Sequence, residues 1–226
     1  MKLEENRYIE FLFSPIFLLH KNIGKLSRNL KTYYLHHRSV NYCRRHGVNL
    51  PKNGKIQFSG PIHWSIGRGA KVSFGENFTS YSDSQFRCDD HTHSIFHIGA
   101  GATLKIGNNS GINNASISCY NSITIGDYVK IGTGSRIMDT NWHSINWWER
   151  MNPATDMTNA QTAPVTIGNH VWLGANVLVM KGVTIGDRSI VSAGSVVTKD
   201  IPAGEVWGGN PAKFLKKLKK QNETDK

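Results

Sequence analysis

Aliphatic residues recur every six positions in the C-terminal half of this chain, and this period restricts its fold more than any other feature. The unbroken run comprises Ile167, Leu173, Val179, Ile185, Val191 and Val197. A six-residue period matches neither the turn of an α-helix nor the alternation of a simple strand. It matches a short strand followed by a corner, and three such units close one coil of about eighteen residues. Because each coil buries its apolar side only against its neighbours, the sequence predicts a parallel β-helix of many coils.

The same pattern continues upstream with interruptions. In order towards the N-terminus, its members are Ile137, Ile131, Ile125, Ile112, Ile106, Phe78, Val72, Ile66, Ile62 and Ile56. Glycine often follows the aliphatic residue, as at Gly168 and Gly174, and corners favour residues that tolerate a positive φ. The sequence therefore predicts a mainly β domain of hexapeptide repeats over residues 55–209.

The two ends of the chain differ from this domain. Residues 1–54 are predicted to form a basic, partly helical segment of one or two helices. Asn210 and Pro211 resemble a helix start, with an N-cap followed by proline at the first position. The sequence therefore predicts that residues 210–226 form a helix covering the last coil, followed by a tail.

The net charge of +11 belongs to the ends and not to the body. Residues 1–55 carry eleven Lys/Arg against three Asp/Glu, residues 56–212 ten against eleven, and residues 213–226 six against two. Basic ends of this kind can meet an anionic membrane, a phosphate-bearing ligand or nucleic acid, or they can be plain solvated surface. Nucleic acid is not the predicted partner, because the body is nearly neutral and the ends lack a recognisable binding motif.

The location predicted for the chain is the cytoplasm. Its most apolar stretch, residues 9–19, is eleven residues long and includes Glu10 and Pro15, whereas a spanning helix needs about 20. The cysteines Cys43, Cys88 and Cys119 are odd in number and lack metal-ligand spacing, so reduced thiols are expected.

The hexads stop after Ile137 and resume at Ile167, which predicts a loop extruded over residues 143–166. A long insertion in a regular scaffold is often functional. It opens with His143, and acyl transfer to a hydroxyl needs a base of pKa near 7, which imidazole provides. Asp139 or a backbone carbonyl could fix the tautomer of this imidazole. From the residues alone, a histidine such as His143 is more often structural than catalytic.

A histidine that opens such a loop, followed by Pro164-Val-Thr-Ile-Gly-Asn-His-Val-Trp-Leu-Gly-Ala175, resembles a known family. The pattern is similar to the galactoside, maltose and polysaccharide O-acetyltransferases of the hexapeptide-repeat acyltransferase superfamily, over roughly residues 56–220. The resemblance implies a left-handed coil, a homotrimer with active sites between subunits, and direct transfer from acetyl-CoA to a sugar hydroxyl. His143 is then the general base. Ser144 stands where many relatives have proline, which leaves the local shape of the loop open.

The resemblance also implies a residue that contacts the acceptor and a backbone group that stabilises the oxyanion. Asn113 occupies the position of the family's acceptor asparagine; alternatively, Asn113 and Asn114 are both corner residues with positive φ. The oxyanion donor is expected in the region of Gly174 and Ala175.

For acetyl-CoA, the resemblance implies a groove between coils and a basic end. The expected contacts are Trp172, Gly174, Ala175, Ala193, Thr198, Lys199, Lys213 and Lys216. The two C-terminal lysines would face the CoA phosphates, or would be a solvated helix face instead. Trp172 would wall the active site, or would serve packing.

Several alternatives remain open from the sequence. His91, His93 and His97 follow two aspartates, and such a cluster would indicate a metalloenzyme resembling γ-class carbonic anhydrase. No metal site is predicted. The chain could also acetylate an amino sugar or an antibiotic, or be an inactive scaffold.

The predicted role is the acetylation of a cell-surface polysaccharide or a glycan precursor. The N-terminal segment combines basic residues with Phe11, Phe13, Phe17 and Leu18. This composition favours an acceptor presented at the inner membrane face, with peripheral contact through residues 1–50.

Overall fold

The computed structural model describes residues 15–52, 54–82 and 93–219, with side chains from residue 29 onward. Predictions that involve Phe11, Phe13, Cys88 and His91 therefore lie outside the described residues, as do the side chains of Phe17 and Leu18. The described chain begins with helix α1 (Pro15–Arg45), followed by three mainly parallel sheets, and a second helix, α2 (Pro153–Thr158), lies in the extruded loop. This organisation confirms a mainly β fold with parallel sheets.

The strands, numbered in chain order, fall into three sheets. Sheet 1 contains β1 (Gln57–Ser59), β4 (Thr79–Tyr81), β7 (Gly111–Asn113), β10 (Lys130–Ile131), β13 (Trp172–Leu173), β16 (Ile190–Val191), β18 (Glu205–Gly208) and β19 (Lys213–Lys217). Sheet 2 contains β2 (Ile62–Ile66), β5 (Ser94–Ile98), β8 (Ser116–Cys119), β11 (Arg136–Met138), β14 (Leu178–Val179) and β17 (Val196–Val197). Sheet 3 contains β3 (Lys71–Phe74), β6 (Thr103–Ile106), β9 (Ser122–Ile125), β12 (Val165–Ile167) and β15 (Thr184–Ile185).

The chain passes from sheet 1 to sheet 2 to sheet 3 and then returns to sheet 1, so each strand pairs with the strand one coil later. The pairing keeps aliphatic residues in register: Ile137 pairs with Ile117 on one side and with Val179 on the other. All three are at most 1% exposed. The predicted repeat therefore corresponds to stacked coils around a continuous apolar core. Burying each such side chain stabilises the fold by roughly 1.5–3 kcal/mol.

The first coil is covered by α1. Val40 and Cys43 of this helix are buried with Phe58 of β1, and the Phe58 amide donates to Nδ1 of His36 at 3.3 Å. An open β-helix end would expose apolar side chains and unpaired edge groups. Helix α1 therefore acts as the N-terminal cap of the domain, consistent with the predicted helical character of this segment.

The prediction of a C-terminal helix is wrong. Residues 213–217 form β19, which pairs antiparallel with β18 after a reversal at Gly209, where φ is 102°. Strand β18 would otherwise present its backbone donors and acceptors on the edge of sheet 1, and a returning strand satisfies them. Phe214 and Leu215, which suggested a helical stripe, are instead exposed residues of this strand.

Two edges of the domain, each formed by a stack of corners, matter for the site. The 1–2 edge comprises the corners between sheets 1 and 2, residues 114–115, 132–135, 174–177 and 192–195. The 2–3 edge comprises the corners between sheets 2 and 3, residues 120–121, 139–164, 180–183 and 198–200. Sheet 2 separates these two edges.

In the described part of the chain, neither helix combines the length and apolarity that crossing a bilayer requires. Cys43 and Cys119 are buried free thiols. Burial raises the pKa of each thiol to about 12, so neither is a reactive thiolate at neutral pH.

Candidate active site

The extruded loop, here called the arm (residues 139–164), leaves the coil between β11 and β12. Its two ends are joined where the bridge between Thr140 and Thr162 forms and where the Ala163 amide donates to the Asp139 carbonyl at 2.9 Å. The arm is therefore clamped at its base. Residues between these ends adopt their own structure, including α2, whose N-cap Asn152 accepts a hydrogen bond from the Ala154 amide.

His143 lies near the start of the arm and is held by a carboxylate. Its Nδ1 is 2.6 Å from Oδ2 of Asp156 in α2, and the two side chains are 67% and 11% exposed. This hydrogen bond lowers the pKa of the Asp156 carboxyl, so the group is ionised at neutral pH and can only accept. The proton consequently lies on Nδ1 of His143. In the neutral imidazole this tautomer leaves the lone pair on Nε2, which has no partner among the described residues, as a general base requires.

Ser144 fixes the second oxygen of the same carboxylate. Its amide donates to Oδ1 of Asp156 at 2.8 Å, and the Arg150 guanidinium donates to its carbonyl at 2.7 Å. The Ser144 hydroxyl donates to Glu149, and this bond lowers the pKa of the Glu149 carboxyl. A proline at this position would have no amide hydrogen to donate. Ser144, whose effect on the loop could not be read from the sequence, therefore positions Asp156 through its amide.

Asp139, predicted as a partner of His143, has a different role. The carboxylate is fully buried and accepts from the backbone amides of Tyr120 at 2.7 Å and Asn121 at 2.8 Å. These bonds tie the base of the arm to the preceding coil. Asp139 is thus committed to the fold, because both oxygens are occupied by backbone donors, and the orienting carboxylate is Asp156.

A cluster of aromatic rings lies beside the base of the arm. The Tyr120 hydroxyl is 2.9 Å from Nε2 of His97, and the Trp142 ring packs edge-on against both rings. Trp142 has a φ of 64°, a conformation that side chains rarely adopt. This cluster directs the chain just before His143. Of the histidines considered above as an alternative metal cluster, His97 is therefore held by aromatic contacts, and the described residues include no group of three or more metal-binding side chains.

Other predicted residues lie on or beside the 1–2 edge. Asn113 ends β7, and its Oδ1 is buried without a hydrogen-bond partner in the described chain. Asn114, and not Asn113, has the positive φ of a corner, at 40°. Oδ1 of Asn114 and Oγ1 of Thr133 are likewise buried without a hydrogen-bond partner in the described chain, and leaving such polar atoms unsatisfied is costly.

Gly174 cannot be the oxyanion donor. Its amide already donates to the Val191 carbonyl at 2.8 Å, and a Cβ at this position would lie 2.6 Å from the Ala193 amide nitrogen. The close stacking of coils therefore explains this glycine. The amide of Ala175 donates to no described acceptor, so it is the remaining candidate of the two.

The predicted CoA residues divide between two parts of the surface. Trp172 lies on the outer side of sheet 1 and is 56% exposed, and Lys216 lies on β19, three strands away in the same sheet. At ~4.8 Å per strand, this separation is about 14 Å. Lys213 is also on β19, whereas Ala193 is on the 1–2 edge. Thr198 and Lys199 instead lie on the 2–3 edge with His143.

Comparison with known proteins agrees with this organisation. A family model described as bacterial transferase hexapeptide (six repeats) matches residues 164–199. The chain is 36% identical over 149 residues to the putative lipopolysaccharide biosynthesis O-acetyl transferase WbbJ of Escherichia coli K12. This match covers 65% of the chain and 71% of WbbJ. The repeat fold and these matches define its class: the chain belongs to the hexapeptide-repeat acyltransferase superfamily, as its sequence predicts.

Within that class, two further proteins are informative. The chain is 38% identical over 127 residues to galactoside O-acetyltransferase of Escherichia coli K12, a match that covers 56% of this chain and spans 58% of that protein's length. The structure of AntD, an N-acyltransferase from Bacillus cereus in complex with dTDP and 3-hydroxybutyryl-CoA, aligns with a TM-score of 0.58 at 18% identity. It covers 79% of this chain and 88% of AntD, and at this identity it shows the fold alone.

Proposed function

We propose that this chain is an acetyl-CoA-dependent O-acetyltransferase that acts on a sugar hydroxyl, with His143 as the general base. The observation that carries the proposal is the 2.6 Å contact between Nδ1 of His143 and the Asp156 carboxylate, which leaves Nε2 of this 67% exposed side chain without a partner among the described residues. A scaffold without activity would have no use for an exposed imidazole held in one tautomer by a nearly buried carboxylate.

The reaction is a direct transfer without an acyl-enzyme. Nε2 of His143 takes the proton of the acceptor hydroxyl while the hydroxyl oxygen attacks the thioester carbonyl carbon. The C–S bond then breaks, the ester forms, and the departing CoA thiolate receives the proton from the imidazolium. Asp156 stabilises the imidazolium, and the Ala175 amide is the proposed donor to the oxyanion.

Hydroxyl transfer is favoured over amine transfer for a physical reason. A hydroxyl has a pKa far above neutrality and needs a base during attack, whereas a neutral amine is nucleophilic by itself. The names of the two E. coli relatives describe O-acetyltransferases, and that of AntD describes an N-acyltransferase. Acetylation of an amino sugar is the alternative that the acceptor panel below distinguishes.

For acetyl-CoA we propose a site along the outer side of sheet 1 and the 1–2 edge. Trp172 would pack beside the reacting end, Ala193 would allow close approach, and Lys213 and Lys216 would meet the phosphates. Thr198 and Lys199 would contribute from the 2–3 edge of a second subunit.

This division of residues supports sites between subunits, and we propose a homotrimer of left-handed coils. Asn113 adjoins the 1–2 edge, Ala175 lies on it, and His143 lies on the 2–3 edge, so sheet 2 separates them within one chain. The arm also exposes apolar side chains, with Trp147 64% and Trp148 58% exposed. Packing the 2–3 edge of one subunit against the 1–2 edge of the next brings these groups together and covers the tryptophans.

Subunit mixing tests this arrangement. Asn113→Ala and His143→Ala are each expected to be inactive, but a mixture denatured and refolded together forms sites that take one intact residue from each variant. With equal mixing, about a quarter of the sites carry both intact residues. Acetyl transfer should therefore reappear in the mixture. If the refolded mixture stays as inactive as either variant alone, the shared site is excluded.

The biological role that we propose is acetylation of a cell-surface polysaccharide or its precursor, in the cytoplasm at the inner membrane face. The support is the basic N-terminal segment, residues 1–55, with its excess of eight positive charges. A juxtamembrane cationic segment contributes about 1 kcal/mol per Lys or Arg on an anionic surface.

Vesicle binding tests the membrane contact. We expect the chain to co-sediment with anionic vesicles, and the triple substitution of Lys21, Lys25 and Arg28 by Gln to weaken that binding by at least about tenfold. Point substitutions are preferred to removal of residues 1–50, because Val40 and Cys43 are buried against the first coil and their loss would expose the core. Equal binding by both proteins, or none by either, would remove the membrane contact from the proposal.

The activity itself is tested by acetyl-CoA thioester consumption, followed as free thiol release, over a panel of sugars, amino sugars and activated glycans. We expect turnover that depends on a hydroxyl-bearing acceptor. Turnover only with amines would replace O-transfer by N-transfer, and an absence of CoA binding would contradict the proposal as a whole.

A further inference from the structure

A cleft of about 970 Å³ lies between α1 and the first two strands of sheet 2. It is separate from the arm that carries His143: β2, which forms one wall, is three strands from β11, where the arm begins, or about 14 Å. Its volume is within the ~300–1,000 Å³ range of small-molecule sites.

The lining of this cleft carries one sign of charge. Its ionisable side chains other than tyrosine are Arg38, Arg45, His37, His63 and His93, and no carboxylate lines it among the described residues. Arg38 and Arg45 are seven residues apart on α1, so they lie on one face of the helix about 10.5 Å apart along its axis. His63 faces them from β2. A guanidinium group can donate two parallel hydrogen bonds to a phosphate group, and an imidazole can donate to another phosphate oxygen.

Aromatic rings complete the walls. Tyr42 stacks on Trp64 with ring centroids 6.1 Å apart, and Tyr34, also lining the cleft, is 63% exposed. Trp64 and Tyr42 are half-buried, so Tyr34 is the exposed ring, and an exposed ring beside a cationic wall fits a ligand that has a flat or apolar group attached to its phosphates.

We infer that this cleft binds the diphosphate of an activated glycan. Two walls of donors set across a cleft favour a group with several anionic oxygens over a single headgroup phosphate on a flat membrane. That the bound glycan is the acetyl acceptor rests on the function proposed above. From β2 to β11, after which the arm begins, is three strands or about 14 Å across sheet 2, so a single ligand can extend from the cleft towards His143.

Binding is measured directly by calorimetry, without acetyl-CoA, so that the result does not depend on catalysis. The probes are inorganic pyrophosphate, uridine diphosphate and farnesyl diphosphate. Arg38→Gln and Arg45→Gln are each expected to weaken pyrophosphate binding by about tenfold. Arg44→Gln is the matched control, because Arg44 is an exposed arginine of the same helix that does not line the cleft. His63→Gln tests the opposite wall.

The three probes also identify the source of the diphosphate. Tighter binding of uridine diphosphate than of pyrophosphate indicates a nucleotide-linked sugar, and tighter binding of farnesyl diphosphate indicates a lipid-linked one. Either outcome supports the site. Pyrophosphate binding that is absent, or equal in the wild type and in all four variants, overturns it, as does binding only to anionic vesicles. A failure of acetyl transfer with intact diphosphate binding would count against the proposed activity and not against this site.

Discussion

Replacing His143 by alanine should lower acceptor-dependent thioester consumption by about 10²–10⁴-fold, the usual contribution of a general base. The acceptor hydroxyl would then have to lose its proton to water during attack on the thioester. The imidazole is 67% exposed, so its removal takes little from the packed core. The measurement is the rate of free thiol release at saturating acetyl-CoA, together with CoA affinity, which should not change.

A matched control is His46→Ala. His46 is another exposed histidine, directly after α1, and it contacts Tyr42 through its Nδ1, 2.9 Å from the Tyr42 carbonyl, and through ring stacking. Its replacement should leave turnover at the wild-type rate. If His143→Ala retains more than about a tenth of wild-type turnover, His143 is not the base, since a general base contributes at least about 10²-fold.

Replacing Asp156 by asparagine should lower kcat on the order of 10²-fold with little change in KM for acetyl-CoA. The carboxylate accepts two hydrogen bonds, one from His143 and one from the Ser144 amide. An amide of the same shape offers only one oxygen and presents N–H to the other donor. Either the imidazole changes tautomer or the arm loses a bond, and in both cases the charge that stabilises the imidazolium is lost.

Glu149→Gln separates this effect from general damage to the arm. Glu149 accepts from the Ser144 hydroxyl but does not contact His143. Its substitution removes a carboxylate from the same arm as Asp156 and should change kcat by less than about threefold. A Glu149→Gln defect as large as that of Asp156→Asn would show that Asp156 serves arm structure and not the imidazole.

The pH dependence of stability follows from the same bond. The pKa of Asp156 is lowered in the folded chain, and the largest cause is the hydrogen bond from His143. The carboxylate's contribution is thus complete above the ordinary aspartate pKa of 3.8 and is lost as the pH falls through the lower, folded value. Thermal unfolding should show wild type more stable than Asp156→Asn at pH 6, with the difference shrinking towards pH 3.

The helix starts of this chain illustrate how far local patterns reach. Asn152-Pro153 and Asn210-Pro211 carry the same signal of an N-cap followed by proline. The first pair does begin a helix, which carries Asp156, whereas the second leads into β19. The difference comes from the neighbours: residues after Pro211 lie beside the unpaired edge of β18, and residues after Pro153 have no sheet edge to join.

The repeat, the core and the place where the coil is broken all follow from the pattern of residues along the chain. Burial every six residues is a local property, so Ile137, Ile167 and the break between them could be identified without coordinates. The same pattern placed His143 at the start of the arm. Asp139 lies four residues before His143, and this short sequence distance was the reason to expect a contact between them.

The surroundings of that histidine depend on the folding of the arm. Asp156 is thirteen residues from His143 in sequence and reaches it because the arm folds back through α2. The separation of Asn113 and His143 onto two edges, and the facing of α1 and β2 across a cationic cleft, also depend on how coils stack and where the chain turns. These are long-range contacts, and a periodic sequence specifies which side chains are buried but not which distant polar groups meet at the surface.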